Sequence, residues 1–285
     1  MIKKIIGASL ISLTLFAADK AEERYDSYTY FGVGVQNIKY NEDITLSDGS
    51  AVHSEAKSSS PVYMSGALVR INKRFDFSMD FASTLLPKEI EEKWYKNGSL
   101  VQINQFDATI NSMQFLGHYK FSNNNRAVLG VTYKLNSYKR YTFKDQNGNY
   151  LTDPATGARL GLIREQVATL YASAGYWYES SPHAKKDTIR YKFNALLGKP
   201  IWNEASSTGF DKVVFHSTRG YSVESSVYAG YPIIEGLEVG LFGAYSYQKK
   251  SGTDVYSDGH TKWPEVTLQL WQAGISFVWN FSKNQ

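Results

Sequence analysis

Asp258, Gly259 and His260 form an Asp-x-His pair near the end of the chain, residue types that serve general acid–base chemistry. Asp76 and Asp80 are a second set of acids, but by the predicted topology they fall toward the opposite end of the fold. His53 adjoins Ser54 and Glu55, and His216 adjoins Ser217, residue types that serve nucleophilic catalysis when a base and an orienting third group converge. Neighbours along a strand point to opposite faces, so neither pair is a working dyad by itself, and both histidines fall in predicted loops. Asp145, Asn147, Asn149 and Asp153 offer oxygen ligands at alternating positions. Gly148 is nevertheless displaced from the position a calcium loop requires, and Thr156 stands where the bidentate glutamate belongs. Asn147-Gly148 is a favoured hairpin turn, which is the simpler reading. Phosphate loops, dinucleotide fingerprints and His/Glu metal clusters are missing and there is no cysteine, so neither enzymatic activity nor a metal or other cofactor is expected.

The elements that would position such groups are strands. Lys3 and Lys4 precede an apolar stretch from Ile5 to Phe16 and the small residues Ala17 and Ala18, a signal-peptide pattern too short to span a bilayer as a helix. Residues 1–18 are expected to be a cleaved signal peptide and residues 19–285 one domain. Of 31 basic and 27 acidic residues, the leader takes Lys3 and Lys4, leaving 29 against 27 and a net charge of +2, no footprint for nucleic acid. Beyond the leader no run of 18 apolar residues occurs, and the dominant period is two. Leu237, Val239, Leu241, Gly243, Tyr245 and Tyr247 share one face of a strand, whereas Glu238, Gly240, Phe242, Ala244, Ser246 and Gln248 share the other. Leu129, Val131, Tyr133 and Leu135 alternate in the same way with Gly130, Thr132, Lys134 and Asn136.

The alternation predicts ten strands, near 26–39, 61–71, 74–84, 106–120, 126–142, 165–178, 188–200, 217–230, 237–249 and 266–281. Connections 40–60, 85–105, 143–164, 201–216 and 250–265 are long and polar, and those between are short. This is the pattern of a transmembrane antiparallel up-and-down β-barrel of about ten strands, with eight or twelve as alternatives, short periplasmic turns and long extracellular loops. A soluble β-sandwich would have shorter strands with polar outer faces. In 266–281, Trp271, Ala273, Ile275, Phe277, Trp279 and Phe281 alternate cleanly, but Val266, Leu268 and Leu270 sit on the opposite parity, and a β-bulge near Leu270 is expected to repair the phase. Phe75, Tyr119, Phe121, Tyr178, Tyr231, Trp279 and Phe281 fall beside the short turns, as in an interfacial aromatic girdle, and Tyr138, Tyr141, Tyr247 and Trp263 fall near the other rim.

At the C-terminus, Gln272, Gly274, Phe277, Trp279 and Phe281 resemble the assembly signal by which the barrel assembly machinery recognises outer-membrane proteins, except that Ser282 to Gln285 follow. Tyr30, Phe31, Gly32, Val33, Gly34 and Val35 resemble the first strand of small OmpA-like and opacity-type porins of Gram-negative bacteria. The resemblance implies an outer-membrane location and partners in outer-membrane lipid, lipopolysaccharide and the assembly machinery. It also leaves room for small solutes or extracellular ligands at the loops.

The ten-stranded omptin proteases share the strand count and have paired aspartates facing an Asp-x-His pair, but the aspartate pair is not matched here. Lipid A deacylases and outer-membrane phospholipases use a serine and histidine with a third group, for which His53 and His216 are poor candidates. The expected lumen-facing charges are Asp76, Asp80, His118, Lys134, Arg190, Lys192, Glu224 and Glu238, of both signs. They fit either a salt-bridge network that fills the barrel or a narrow, weakly selective pore. The expected function is a non-enzymatic passive pore or surface-interaction scaffold, with an outer-membrane hydrolase as the alternative.

Overall fold

A strand of alternating parity buries only one of its faces, so it is stable where another strand pairs each edge and a shared interior covers that face. In the computed structural model, which describes residues 27–46, 48–180, 188–209, 214–252 and 263–281, every long alternating segment takes such a place. The expected leader and the Asp258-x-His260 pair lie outside the described residues. The strands are β1 (Ser27–Thr45), β2 (Ala51–Arg70), β3 (Phe75–Thr84), β4 (Ile90–Lys96), β5 (Ser99–Lys120) and β6 (Asn125–Lys144). They continue as β7 (Ile163–Glu179), β8 (Arg190–Ser207), β9 (Val214–Phe215), β10 (Gly220–Ile234), β11 (Leu237–Lys250) and β12 (Glu265–Phe281). Neighbours are antiparallel in the order β1-β12-β11-β10-β8-β7-β6-β5-β3-β2, and β2 pairs with β1, which closes the ring. β4 stands above β3 between β2 and β5, so β3 and β4 together fill one of ten positions, while β9 is a short addition to β8.

The strands are longer than the apolar pattern predicted. β1 has 19 residues and β5 has 22, where a tilted strand needs about 9 to 11 to cross hydrocarbon. Most of the segments expected as loops at 40–60 and 85–105 are strand, and the loop at 85–105 is a strand ending in an Asn97-Gly98 turn with φ of 48° and 82°. The reason is a change of medium along each strand. Outward side chains of β1 are Phe31, Val33 and Val35, then Asn37, Lys39, Asn41 and Asp43, whereas inward Ile38 and Tyr40 become fully buried. Below that crossover the outside is apolar, and above it the inside is.

The same inversion corrects the expected bulge in β12. Its register to β1 runs without a shift from Glu265↔Asp43 to Phe281↔Ser27, and Val266, Leu268 and Leu270 simply face inward into an apolar core with Ile38, Tyr40, Phe106 and Tyr138. Tyr138 and Trp263 likewise belong to this core and not to an outer girdle. At the short-turn end Phe75, Tyr119, Phe121, Tyr231, Trp279 and Phe281 are exposed on the outer wall.

Close approach at the seam requires glycine. Gly34 and Gly274 face each other across β1 and β12, and the Phe242 ring from β11 lies against Gly274 and Gly32. A side chain at Gly274 would overlap the Val33 carbonyl oxygen and this ring. At the top of the β1–β2 hairpin the Asp48 carboxylate accepts hydrogen bonds from the Ser50 amide (2.8 Å) and hydroxyl (2.5 Å), which hold its pKa at about 2.

Gly274→Val should cost about 1–3 kcal/mol, read as a lower transition temperature for loss of the compact, fast-migrating form on unboiled gels. Asp48 has its folded pKa depressed, so its contribution to the turn is present above the ordinary value of 3.8 and is lost as pH falls through about 2. The Ser50 amide resonance should titrate in that window and lose the transition in Asp48→Asn.

Candidate functional site

Polar groups inside a narrow barrel must find partners there, because little water reaches them. Reading β6 upward from the short-turn end gives inward Arg126, Val128, Thr132, Lys134, Asn136, Tyr138 and Arg140, and antiparallel β7 supplies Glu179, Trp177, Ser173, Tyr171, Thr169, Val167 and Glu165 beside them. The lumen is therefore layered as charged, apolar, polar, apolar and charged.

In the lowest layer three acids face four bases. Glu179 bonds Arg70 (2.6 Å) and Arg126 (2.8 Å) and pairs with Arg190 (3.5 Å). Asp76 pairs with Arg70 (2.6 Å), Lys120 (2.6 Å) and Arg126 (3.1 Å), and Glu238 with Arg190 (2.9 Å). All of these side chains are buried. Tyr28, Leu68, Leu116, Val128, Trp177, Leu196 and Val278 form the apolar layer above. His118 lies at this level, with Nε2 2.9 Å from the Ser78 hydroxyl and its ring edge-on to Trp177.

The polar middle layer surrounds a cavity of about 170 Å³. Lys134 pairs with Glu224 at 2.6 Å and donates to the Ser246 hydroxyl, and Gln114 donates to Glu224 at 2.6 Å. Tyr30 donates to Asp80 at 2.7 Å, and the Lys192 ammonium sits 3.5 Å from the Tyr28 ring centre and 4.9 Å from that of Tyr228. The volume accommodates a handful of waters at about 30 Å³ each.

Above the second apolar layer, Arg140 is the hub of the upper cluster. It bonds Glu42 (2.8 Å), Glu92 (2.7 Å) and Glu165, and its guanidinium lies 5.4 to 5.6 Å from the rings of Tyr40, Trp94 and Phe106. Tyr40 donates to Glu42, and Ser54 and Asn104 donate to Glu92.

All eight expected charges thus face inward, but they do not form one site. Asp76, Arg190 and Glu238 belong to the lowest cluster, His118 to the layer above it, and Asp80, Lys134, Lys192 and Glu224 to the cavity. Lys120, Arg126, Glu179 and the whole Arg140 cluster lie beyond the eight expected charges. Arg126 and Arg140 carry the same parity as Lys134 on β6, which was the available signal.

The catalytic candidates do not converge. His53 pairs with Asp43 at 2.8 Å on the outer surface, and Ser54 points inward to Glu92, so the two sit on opposite faces of the wall. The His216 ring nitrogen Nδ1 donates to the Asn203 carbonyl. Asp145 accepts from the amides of Asn147 and Asn149 and from the Asn149 side chain, which keeps its carboxyl ionised below the usual range, and Asp153 accepts from the Ala155 amide. The candidate calcium ligands are thus caps of their own turns. Among the described residues no group of three His, Cys, Asp or Glu side chains is placed to hold a metal.

No family profile matches the chain, and no curated protein does. Among solved structures it is similar to the outer membrane protease OmpT from Escherichia coli, with 9% identity, 92% of this chain and 99% of that chain covered, and a TM-score of 0.65. A Pseudomonas aeruginosa FadL homologue (11% identity, 90% and 91% covered, TM-score 0.35) and the translocator domain of the autotransporter NalP from Neisseria meningitidis (8%, 91% and 90%, 0.36) align more loosely. At 9% identity the likeness to OmpT is one of fold: the chain is an antiparallel up-and-down β-barrel, as that outer-membrane protein is.

Glu179→Gln leaves buried Arg70, Arg126 and Arg190 short of a counter-charge and should destabilise the barrel by about 3–5 kcal/mol. Glu55→Gln, which breaks the outer-surface pair with Lys57, should stay within about 1 kcal/mol. Thermal loss of the compact form on unboiled gels measures both.

Proposed function

We propose that this protein is a sealed, non-enzymatic barrel of the outer membrane that serves as a scaffold for surface interaction. The observation that carries the reading is that the lumen is filled at two levels, by the Glu179 cluster and by the Arg140 cluster with its apolar surround. A pore would need a continuous wet path between these levels and the openings. An omptin-like protease would need uncommitted inward-facing carboxylates at the upper rim, and among the described residues Glu42, Glu92 and Glu165, which face inward there, are engaged by Arg140. The leader-like N-terminus and the motif of Gln272, Gly274, Phe277, Trp279 and Phe281 support export and recognition by the assembly machinery. In that motif Gln272 donates to Gln36, Gly274 fits the seam, and Trp279 and Phe281 are exposed on the outer wall. The long hairpins above the apolar band then form the contact surface, and lipid and lipopolysaccharide surround the wall.

Purified protein inserted in planar bilayers should give no sustained conductance, and it should show no turnover of peptide, lipid A or phospholipid substrates. A stable single-channel conductance would replace the scaffold with a pore. Turnover abolished by His216→Ala or His260→Ala would replace it with a hydrolase.

A further inference from the structure

The wall is broken once between β2 and β5. β3 ends at Thr84, β4 begins at Ile90, and Pro87 between them has no amide hydrogen to offer a ladder. Isolated bonds stitch the break: Leu85 donates to the Pro61 carbonyl, Lys88 to the Ser60 hydroxyl, and Ser58 to the Lys88 carbonyl, while Thr84 and Ile110 exchange bonds. At the break, Leu85, Leu86 and Pro87 are all exposed, and Leu86 at 70% is as bare as Leu129 at 69% in the middle of the apolar band.

The height of these side chains is what makes them informative. Leu85 lies level with Pro61, one outward position, about 7 Å of strand, above Tyr63. Pro61 pairs with outward Val35, so on the β2 side Leu85 stands at the last apolar level of the wall, with Asn37 paired to Ser59 one outward position higher, while on the β5 side Thr109 and Asn111 are already polar. Below, the rings of Phe31, Tyr63 and Phe81 are in contact at 5.2 and 6.2 Å, so the leucines stand at the upper edge of the apolar band, beside Pro61 and Val35. Single exposed apolar residues are ordinary on a protein surface, but consecutive ones joined to a lipid-facing band form a patch with a partner.

We infer that Leu85, Leu86 and Pro87 form a wedge that enters the boundary between headgroups and acyl chains of the outer leaflet. Apolar side chains seated at this boundary reach about 5–10 Å into it, which matches the step above Tyr63. Lys88, next in sequence and exposed, can lay its stem along the wedge and keep its ammonium among headgroups. The wedge fixes the outer membrane surface on the β2–β5 side of the barrel. The inference rests on the membrane placement proposed above.

The chain has no cysteine, so single cysteines give unambiguous nitroxide labels. Leu86→Cys, Phe77→Cys within the band and Lys57→Cys on the upper wall would be labelled in the full barrel in phosphatidylcholine liposomes. Collision with oxygen and with a water-soluble nickel chelate would then be compared. The Leu86 label should fall between the other two, with access to the chelate reduced at least severalfold relative to Lys57. A Leu86 label as open to the chelate as Lys57, with Phe77 shielded, overturns the wedge and leaves the membrane placement standing. Chelate access at Phe77 equal to that at Lys57 overturns the placement and the wedge with it.

Discussion

The constraint on which the structure depends is that a strand cannot change which side chains face outward without changing register, whereas the medium outside it changes abruptly at the hydrocarbon boundary. β1 meets the change between Val35 and Asn37, and β12 meets it between Trp271 and Gln269. On one side of that line the outward residues must be apolar and the inward ones are free to be polar, and on the other side the requirement is reversed. Backbone pairing passes through without adjustment, as the unbroken register of β1 with β12 shows. The upper barrel therefore has an ordinary protein core around Phe106, Tyr138 and Leu268, and the lower barrel is turned inside out by comparison.

This constraint also explains how far the fold was legible in the sequence. Ten strands and their outward faces in the membrane could be read because period-two alternation of Leu, Val and Tyr has few other sources. The projecting halves read as loops because outward apolar residues stop there, and the parity flip at Ile38 looks like the end of a strand. In β12 the same flip looked like a bulge. The Asn97-Gly98 turn carries the same hairpin signature as Asn147-Gly148, but the short β4 before it, Ile90–Lys96, has little apolar contrast to mark it. Pro87 was the visible cause of the break that precedes it.

The buried charges were only half legible. Parity put the eight expected groups in the lumen, since any charge on an outward position of the band would face hydrocarbon. What parity could not supply was height. Arg126, Lys120 and Glu179 stand at strand ends, where the boundary of an element is least certain, and they turn out to be the centre of the lowest cluster. Glu42 and Glu92 lay in segments read as loops, so their convergence on Arg140 from β1 and β4 was out of reach. That convergence depends on strand stagger around the ring, which one-dimensional spacing does not encode.

Burying so many charges is not an efficient way to gain stability, because desolvation offsets much of the Coulomb attraction and apolar residues of similar volume often serve as well. Their arrangement does something else. Asp76 bonds groups from β2, β5 and β6, and Glu179 reaches β2, β6 and β8, so each acid ties strands that are not all neighbours in the ring. Arg140 does the same for β1, β4 and β7 at the other end. A slipped register would leave several of these charges unpaired at once, which penalises alternatives far more than it rewards the native state. The two clusters thus act as registry pins at the ends of the barrel. Charges consumed in that role are not available to conduct ions or to activate water, and this is the physical ground of the proposal of a sealed scaffold.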